Sequence, residues 1–160
     1  MRVISVDPGY DRIGIAVLEL VDGQEKVLFS DCVETDKALG LNERIDQMAS
    51  RFKATIEKYS PDVLGIETLF FNKNQKTALG VAQARGVLIY IARSLECQVY
   101  EFGPQEIKIA VTGYGKSDKS SVIDMVKRLV LNVPKEALDD EYDAIAVGVT
   151  CLAHHGRKTP

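Results

Sequence analysis

The apolar pattern of this chain changes period once, and that change limits the folds open to it. Up to about residue 34 the apolar residues come in strand-length runs, at residues 3–6, 13–20 and 26–33. The first run stops at Asp7-Pro8-Gly9, a turn sequence, and Asp22-Gly23 joins the second run to the third. An Asp-Gly pair between two apolar runs is a strong signal for a tight hairpin. A three-strand meander therefore opens the chain. From Leu41 the spacing becomes helical: Leu41, Ile45, Met48, Phe52 and Ile56 predict an amphipathic helix over Leu41–Tyr59, closed by Pro61.

The remainder alternates strand with helix. Residues 62–67 (DVLGIE) read as a short apolar strand ending in an acid, and Gln75–Ser94 as a long helix. That helix is apolar on nearly all sides after Gly86, which predicts burial on two faces. Residues 97–102 form a fifth strand candidate. Residues 118–131 read as a helix capped by Ser117 or Asp118, with Val122, Val126, Leu129 and Val130 facing inward. A last helix spans about 140–154. The sum is an α/β fold: a five-stranded mixed sheet, a β-meander followed by right-handed crossovers, with helices on both faces. Residues 1–155 are expected to form a single domain, and 156–160 a frayed tail.

With 46% hydrophobic and 27% charged residues in 160, the chain can build one sizeable core, which excludes a disordered protein. No apolar stretch approaches the ~20 residues of a membrane span, so no membrane partner is expected. The N-terminus lacks the basic segment and long apolar run of a secretory signal. Cys32, Cys97 and Cys151 are odd in number and lack C-x-x-C spacing, which points to a reducing, cytoplasmic location. The net charge of −3 hides a segregation. Residues 72–128 hold nine basic and five acidic side chains, so the rest of the chain carries the negative excess. One side of the protein is thus suited to a polyanion, although solvated surface produces the same asymmetry.

In sheets of this kind ligands bind beyond the carboxyl ends of the parallel strands. Two strands end there in an acid, Asp7 and Glu67. Asp7 alone reads as a turn former. Glu67, closing the apolar run Val63-Leu64-Gly65-Ile66, sits at the edge of a core, where a carboxylate is costly without a cation or donor. Near the C-terminus Asp139, Asp140, Glu141 and Asp143 crowd the start of the last helix. Acids there complement the helix dipole, and one of them suits the cap. Asp140 and Asp143, at i and i+3, also share a helix face. Four converging carboxylates repel one another unless divalent cations neutralise them, and hard oxygen donors suit Mg²⁺ or Mn²⁺. Two such ions form the clamp of in-line phosphodiester hydrolysis, one activating water and the other steadying the leaving 3′-oxygen.

These residues carry a resemblance. The stretches DPGYDRIGIAV (7–17), DVLGIETLFFNKN (62–74), ALGVAQARGV (78–87), IKIAVTGYGKSDKSSV (107–122) and DEYDAIAV (140–147) resemble, in order and spacing, the RuvC family of Holliday-junction resolvases, in the ribonuclease H-like superfamily. The resemblance covers most of the chain. It implies that Asp7, Glu67, Asp140 and Asp143 are catalytic metal ligands for two Mg²⁺ ions, with Mn²⁺ as an alternative. Phe70 matches a junction-stacking aromatic, and Lys108 and Lys119 match phosphate-contacting residues. It further implies a homodimer that nicks four-way DNA junctions in pairs during recombination and repair, with a branch-migration helicase as a candidate partner. The acidic run Asp139-Asp140-Glu141 departs from the family pattern and leaves the register of the third ligand open. Around a helix, Asp140 lies ~60° from Asp143 and Asp139 ~40°, whereas Glu141 lies ~160° away. The family spacing selects Asp140 and leaves Asp139 as a cap.

Other side chains complete the candidate nucleic-acid surface. Phe70 and Phe71, beside Asn72, Lys73 and Asn74, cannot easily both be buried, and an exposed ring could stack on an unpaired base. Gly113, Gly115 and Ser117 with Lys116 form a candidate phosphate cradle without a Walker pattern. Arg85 is expected to be structural or interfacial. Three other functions compete. The D-x-G-x(4)-G match at residues 7–14 suits an actin-like or sugar-kinase-like ATPase, but 160 residues leave no room for its second domain. An RNA-processing nuclease of the same superfamily would use the same acids and metals. A non-catalytic junction-binding protein would gain nothing from carboxylates that repel phosphate.

Overall fold

The computed structural model describes residues 1–69 and 75–156. Its elements, in chain order, are β1 (Arg2–Pro8), β2 (Arg12–Val21), β3 (Gln24–Glu34), α1 (Leu41–Tyr59), β4 (Val63–Glu67), α2 (Gln75–Ser94), β5 (Gln98–Phe102), α3 (Pro104–Thr112), α4 (Lys119–Leu129) and α5 (Asp139–His155). The five strands form one sheet in the order β3-β2-β1-β4-β5. β1, β2 and β3 are antiparallel, and β4 runs parallel to both β1 and β5. The meander and crossovers expected from the sequence are thus present. The β2–β3 turn places Asp22 at φ 51° and Gly23 at φ 80°. Two consecutive left-handed residues are what a type I′ hairpin requires.

Alternation along the strands builds two cores. Ile4, Val6, Ile13, Ile15, Val17, Leu64 and Ile66 point to one face, where Met48, Phe52 and Ile56 of α1 and Ala84, Leu88 and Ala92 of α2 cover them. Val3, Ala16, Leu18 and Val63 point to the other face, under α3, α4 and α5. Period 2 then fixes the two strand-end acids. Asp7 follows Val3 and Ser5, and Glu67 follows Val63 and Gly65, so both carboxylates emerge on the α5 face. β1 and β4 are neighbours in parallel register up to Val6 and Ile66, which puts the acids side by side.

α5 lies unusually close to the sheet because small residues face each other. A Cβ on Gly14 would overlap the carbonyl oxygen of Asp140, and one on Gly148 would run into Leu18 and the Ser5 hydroxyl. Ser5 Oγ instead donates to the Ala144 carbonyl at 2.7 Å. Gly14 is the cross-strand partner of Asp7. The backbone therefore seats the first turn of α5 directly beside Asp7.

The structure corrects three expectations and adds one element. Residues 104–112 form α3. Pro104 stands at its first turn, Gly103 at its N-cap, and Glu106 accepts the Gly103 N–H at 3.3 Å. Leu129 is 43% exposed, and Val130 takes the inward position, because α4 ends at Leu129 and the extended Val130 reverses its side chain's direction. α2 buries one face only, the Ala84–Leu88–Ala92 stripe, while Leu79 and Tyr90 are exposed on the other. The N-cap of α5 is Leu138, so Asp139 is already helical and caps nothing. By contrast, Asp118 caps α4 as expected, accepting the Ser121 N–H at 2.8 Å. Of the expected tail at 156–160, residues 157–160 lie outside the described residues.

Candidate active site

The acids of β1, β4 and α5 converge at the open end of the sheet. Burial pushes the Asp7 carboxyl up to about 8, reinforced in decreasing order by the charges of Asp143, Glu67 and Asp140 and opposed by Lys119. Three other carboxylates thus act on Asp7, and Asp139 is not among them. Glu67 is also raised, by burial and then by Asp143, against the pull of Lys119 and Lys108. Asp143 is raised by burial, although the hydrogen bond from Lys119 pulls the other way. Burial alone would lower Lys119, but its hydrogen bonds and charge interactions with Asp143 and Asp139 outweigh this and raise it.

Each acid of the α5 turn has a distinct partner. Lys119 Nζ lies 2.8 Å from Asp143 Oδ2 and 3.4 Å from Asp139 Oδ2. Asp139 is the outermost of the set, its side chain 60% exposed against 29% for Asp143 and 20% for Asp140. Arg12 Nε lies 2.6 Å from Asp140 Oδ2. The angle of that contact is too poor for a hydrogen bond, and this buried oxygen has no other partner among the described residues. Glu141 is turned away, accepting from Ser30 Oγ on β3 at 2.5 Å. Its exclusion from the cluster on helical geometry therefore agrees with its contacts.

Glu67, Asp143, Lys108 and Lys119 line one cleft of about 250 Å³, walled by Ile107 of α3 and Val122 of α4. Lys108 reaches it only because α3 exists, so the unassigned helix is the one that supplies a basic wall. Lys116 is exposed on the loop between α3 and α4. That loop is braced internally: Thr112 Oγ1 accepts the Tyr114 N–H at 3.1 Å and lies 2.7 Å from Ser117 Oγ. Phe70, Phe71 and Lys73, the proposed DNA-contacting residues after Glu67, lie outside the described residues.

Two positioning arginines frame the acids. Arg85 of α2 donates from Nε to the Glu67 carbonyl at 3.4 Å and pairs with Glu101, in keeping with its structural reading. Arg44 was missed: its position on the apolar stripe of α1, four residues before Met48, is the signal that it is buried. Its guanidinium bonds Asp11 Oδ1 at 2.5 Å, the Tyr10 carbonyl at 2.9 Å and Thr35 Oγ1 at 2.9 Å, and lies over the Tyr10 ring. These contacts clamp the turn that follows Asp7. Arg12 was also missed, being read only as part of a motif.

The donor set suits a divalent cation. All four side chains are hard oxygen donors, and Asp7 in its present surroundings loses its charge near neutral pH unless a cation joins it. Among the described residues no three acidic, histidine or cysteine side chains form a closed ligand set; Asp140 is paired with Arg12 and Asp143 with Lys119.

Comparison with known proteins finds relatives over nearly the full length of the chain. Residues 3–151 match the family model for crossover junction endodeoxyribonuclease RuvC. The protein of that name from Thermosipho melanesiensis is 42% identical over 154 residues, covering 96% of this chain and 97% of its own. The Thermus thermophilus RuvC structure superposes with a TM-score of 0.86 at 25% identity, covering 98% of this chain and 97% of that one. The same protein in complex with a Holliday junction substrate gives a TM-score of 0.86 at 26% identity, over 94% and 92% of the two chains. The fold is the ribonuclease H-like resolvase fold. With residues 3–151 matched by the family model and a relative 42% identical over nearly the full length of both chains, the chain belongs to the RuvC family of crossover junction endodeoxyribonucleases.

Proposed function

We propose that this chain resolves four-way DNA junctions, hydrolysing one phosphodiester in each of two strands. The observation that carries the reading is the convergence of carboxylates on Asp7, in a chain whose relatives are crossover junction endodeoxyribonucleases. Family members are divalent-metal-dependent nucleases. In this chain Asp7, Glu67, Asp140 and Asp143 are the proposed ligands and Mg²⁺ the proposed ion, two per site, with Mn²⁺ as a substitute. An ion held there supplies Lewis-acid stabilisation of charge developing on the phosphoryl oxygens. The protein's own groups do the rest. The four carboxylates hold their positions through β1, β4 and α5. Lys108, Lys116 and Lys119 attract and orient the phosphate backbone, with Lys73 beyond Glu67, and Phe70 and Phe71 hold bases unstacked at the crossover.

Asp140 is preferred to Asp139 as the third ligand, because its charge acts on Asp7 and its side chain is the less exposed. Symmetric cleavage calls for a homodimer. The exposed face of α2, with Leu79 at 69% and Tyr90 at 73%, is the proposed interface. A branch-migration helicase as partner, a single nuclease domain over 1–155 and a cytoplasmic location complete the reading. No helix among the described residues is long and apolar enough to cross a membrane.

The deciding experiment incubates the protein with Mg²⁺ and end-labelled four-way junction, linear duplex or structured RNA. Paired, symmetric nicks in the junction alone support the resolvase. Cleavage of RNA in preference would transfer the chain to RNA processing, and tight junction binding without cleavage would make it a binding protein.

A further inference from the structure

Asp140 faces two environments. Its charge acts on Asp7 within the acid cluster, yet its Oδ2 is drawn toward Arg12, and the two side chains line a hollow of about 470 Å³ on the far side of the first turn of α5. The Arg12–Asp140 contact is short at 2.6 Å but too poorly angled for a hydrogen bond, and that buried oxygen has no other partner among the described residues. A guanidinium that neutralises a carboxylate without satisfying it is a replaceable partner, since a ligand with better geometry takes the oxygen without losing a hydrogen bond.

Arg12 also has somewhere else to go. It is the cross-strand partner of Glu34, and its Nη1 lies 3.9 Å from Glu34 Oε1. The Arg12 side chain is 39% exposed and Glu34 66%, so a short swing keeps the cation paired in solvent. Lys37 and Tyr10 line the same hollow, and Lys37 is already engaged with Asp11 at 3.4 Å.

We infer that Arg12 is a positioning residue, a latch that holds Asp140 Oδ2 toward the hollow in the metal-free protein, and that Arg12 swings onto Glu34 when an ion takes that carboxylate. The inference rests on Asp140 being a metal ligand. It makes Arg12 a competitor of the metal for the Asp140 carboxylate. The alternative, in which Arg12 holds Asp140 in its ligating position, has the opposite sign.

Manganese binding to the DNA-free protein, followed by titration calorimetry and by the Mn²⁺ paramagnetic resonance signal, separates these. R12Q keeps the side-chain bulk and removes the charge, while R12K keeps the charge. R12Q is expected to bind Mn²⁺ about fivefold more tightly than wild type, the scale of one partly exposed ion pair, with R12K close to wild type. In D140N, Mn²⁺ binding should weaken, and adding R12Q to D140N should bring no gain. Weaker or unchanged binding by R12Q, with D140N weakened, overturns the latch and leaves Asp140 as a ligand. If D140N binds Mn²⁺ as wild type does, Asp140 is not a ligand and the latch falls with that assignment. Circular dichroism melts of each variant identify any that fail to fold. A gain in R12Q that persists in the D140N background would also refute the inference, because the arginine would then be acting on another group.

Discussion

Asp7 gives this protein a pH-dependent weakness that a single substitution should remove. Its carboxyl is raised from 3.8 in the unfolded chain to about 8 in the folded one, through burial first and then through Asp143, Glu67 and Asp140. Between those two values the folded state binds a proton that the unfolded state has lost, so stability falls as pH rises across the interval. Below 3.8 both states are protonated and the contribution is complete; above about 8 it is gone. At ~1.4 kcal/mol per pH unit the interval sets a ceiling of ~6 kcal/mol. The open end of the sheet admits water and lets Lys119 shift, so about 2–3 kcal/mol is the expected loss, equivalent to ~5–10 °C in melting temperature for a chain of this size. Asp7→Asn keeps the shape and deletes the charge. In EDTA at pH 8, D7N should therefore melt ~5–10 °C above wild type, and the two should converge near pH 4. Asp11 is held below the usual range by Arg44 and Asp118 by Ser121, so both titrate below this window. His155, lowered by burial beside Tyr100, is common to both proteins and cancels in the difference. Saturating Mg²⁺ should raise the wild-type melting temperature at pH 8 and move D7N much less. Parallel melting profiles for wild type and D7N from pH 4 to 8 in EDTA would refute the burial and crowding of Asp7.

D140N and D143N should abolish Mg²⁺-dependent junction cleavage with melting curves intact, whereas D139N should retain cleavage. D139N should also cost little stability, since Asp139 caps nothing and its pair with Lys119 is exposed; a dead D139N beside an active D140N on the same gel would shift the ligand by one residue. Phe70→Ala should slow resolution of an intact junction more than of one whose crossover is already unpaired, as measured by single-turnover rates; equal losses would return the ring to a packing role. Gly14→Ala should destabilise by about 2–4 kcal/mol in urea unfolding and lose cleavage together, because its methyl group would lift the first turn of α5 off the sheet. A G14A protein of wild-type stability would show that the seat of α5 is soft.

Most of the architecture was legible because local signals agreed with the tertiary solution. Asp22-Gly23 demanded left-handed backbone and received it. The i, i+4 stripe from Met48 to Phe52 and Ile56, closed by Pro61, marked α1, and the long apolar stretch after Gly86 marked α2. The strand-end acids were legible for a sharper reason. A carboxylate closing an apolar strand conflicts with burial, and such local conflicts concentrate at functional sites. The period of 2 along Val3, Ser5 and Asp7 and along Val63, Gly65 and Glu67 already placed both carboxylates on a common face, given the parallel pairing of β1 with β4.

What escaped the sequence depends on pairs of residues far apart in the chain. α3 offered only two buried side chains, Ile107 and Val111, too few for a periodic signal, although Gly103-Pro104 with Glu106 carried the capping chemistry of a helix start. The exposure of Tyr90, on a helix read as apolar on nearly all sides after Gly86, escaped because apolar content does not say which face is covered. The arginines escaped for the same reason. Arg44 looks like any charge on a helix until Asp11, Thr35 and the Tyr10 carbonyl converge on it, and Arg12 looks like a strand-edge charge until α5 brings Asp140 across 128 residues of chain to meet it. Gly14 joins these two levels. Only a residue without a side chain lets Asp140 come so near β2, and Gly14 is also the residue opposite Asp7, so the packing of α5 and the gathering of the acids are one structural event. A carboxylate site of this kind therefore has to be read from the small residues beneath it as much as from the acids themselves.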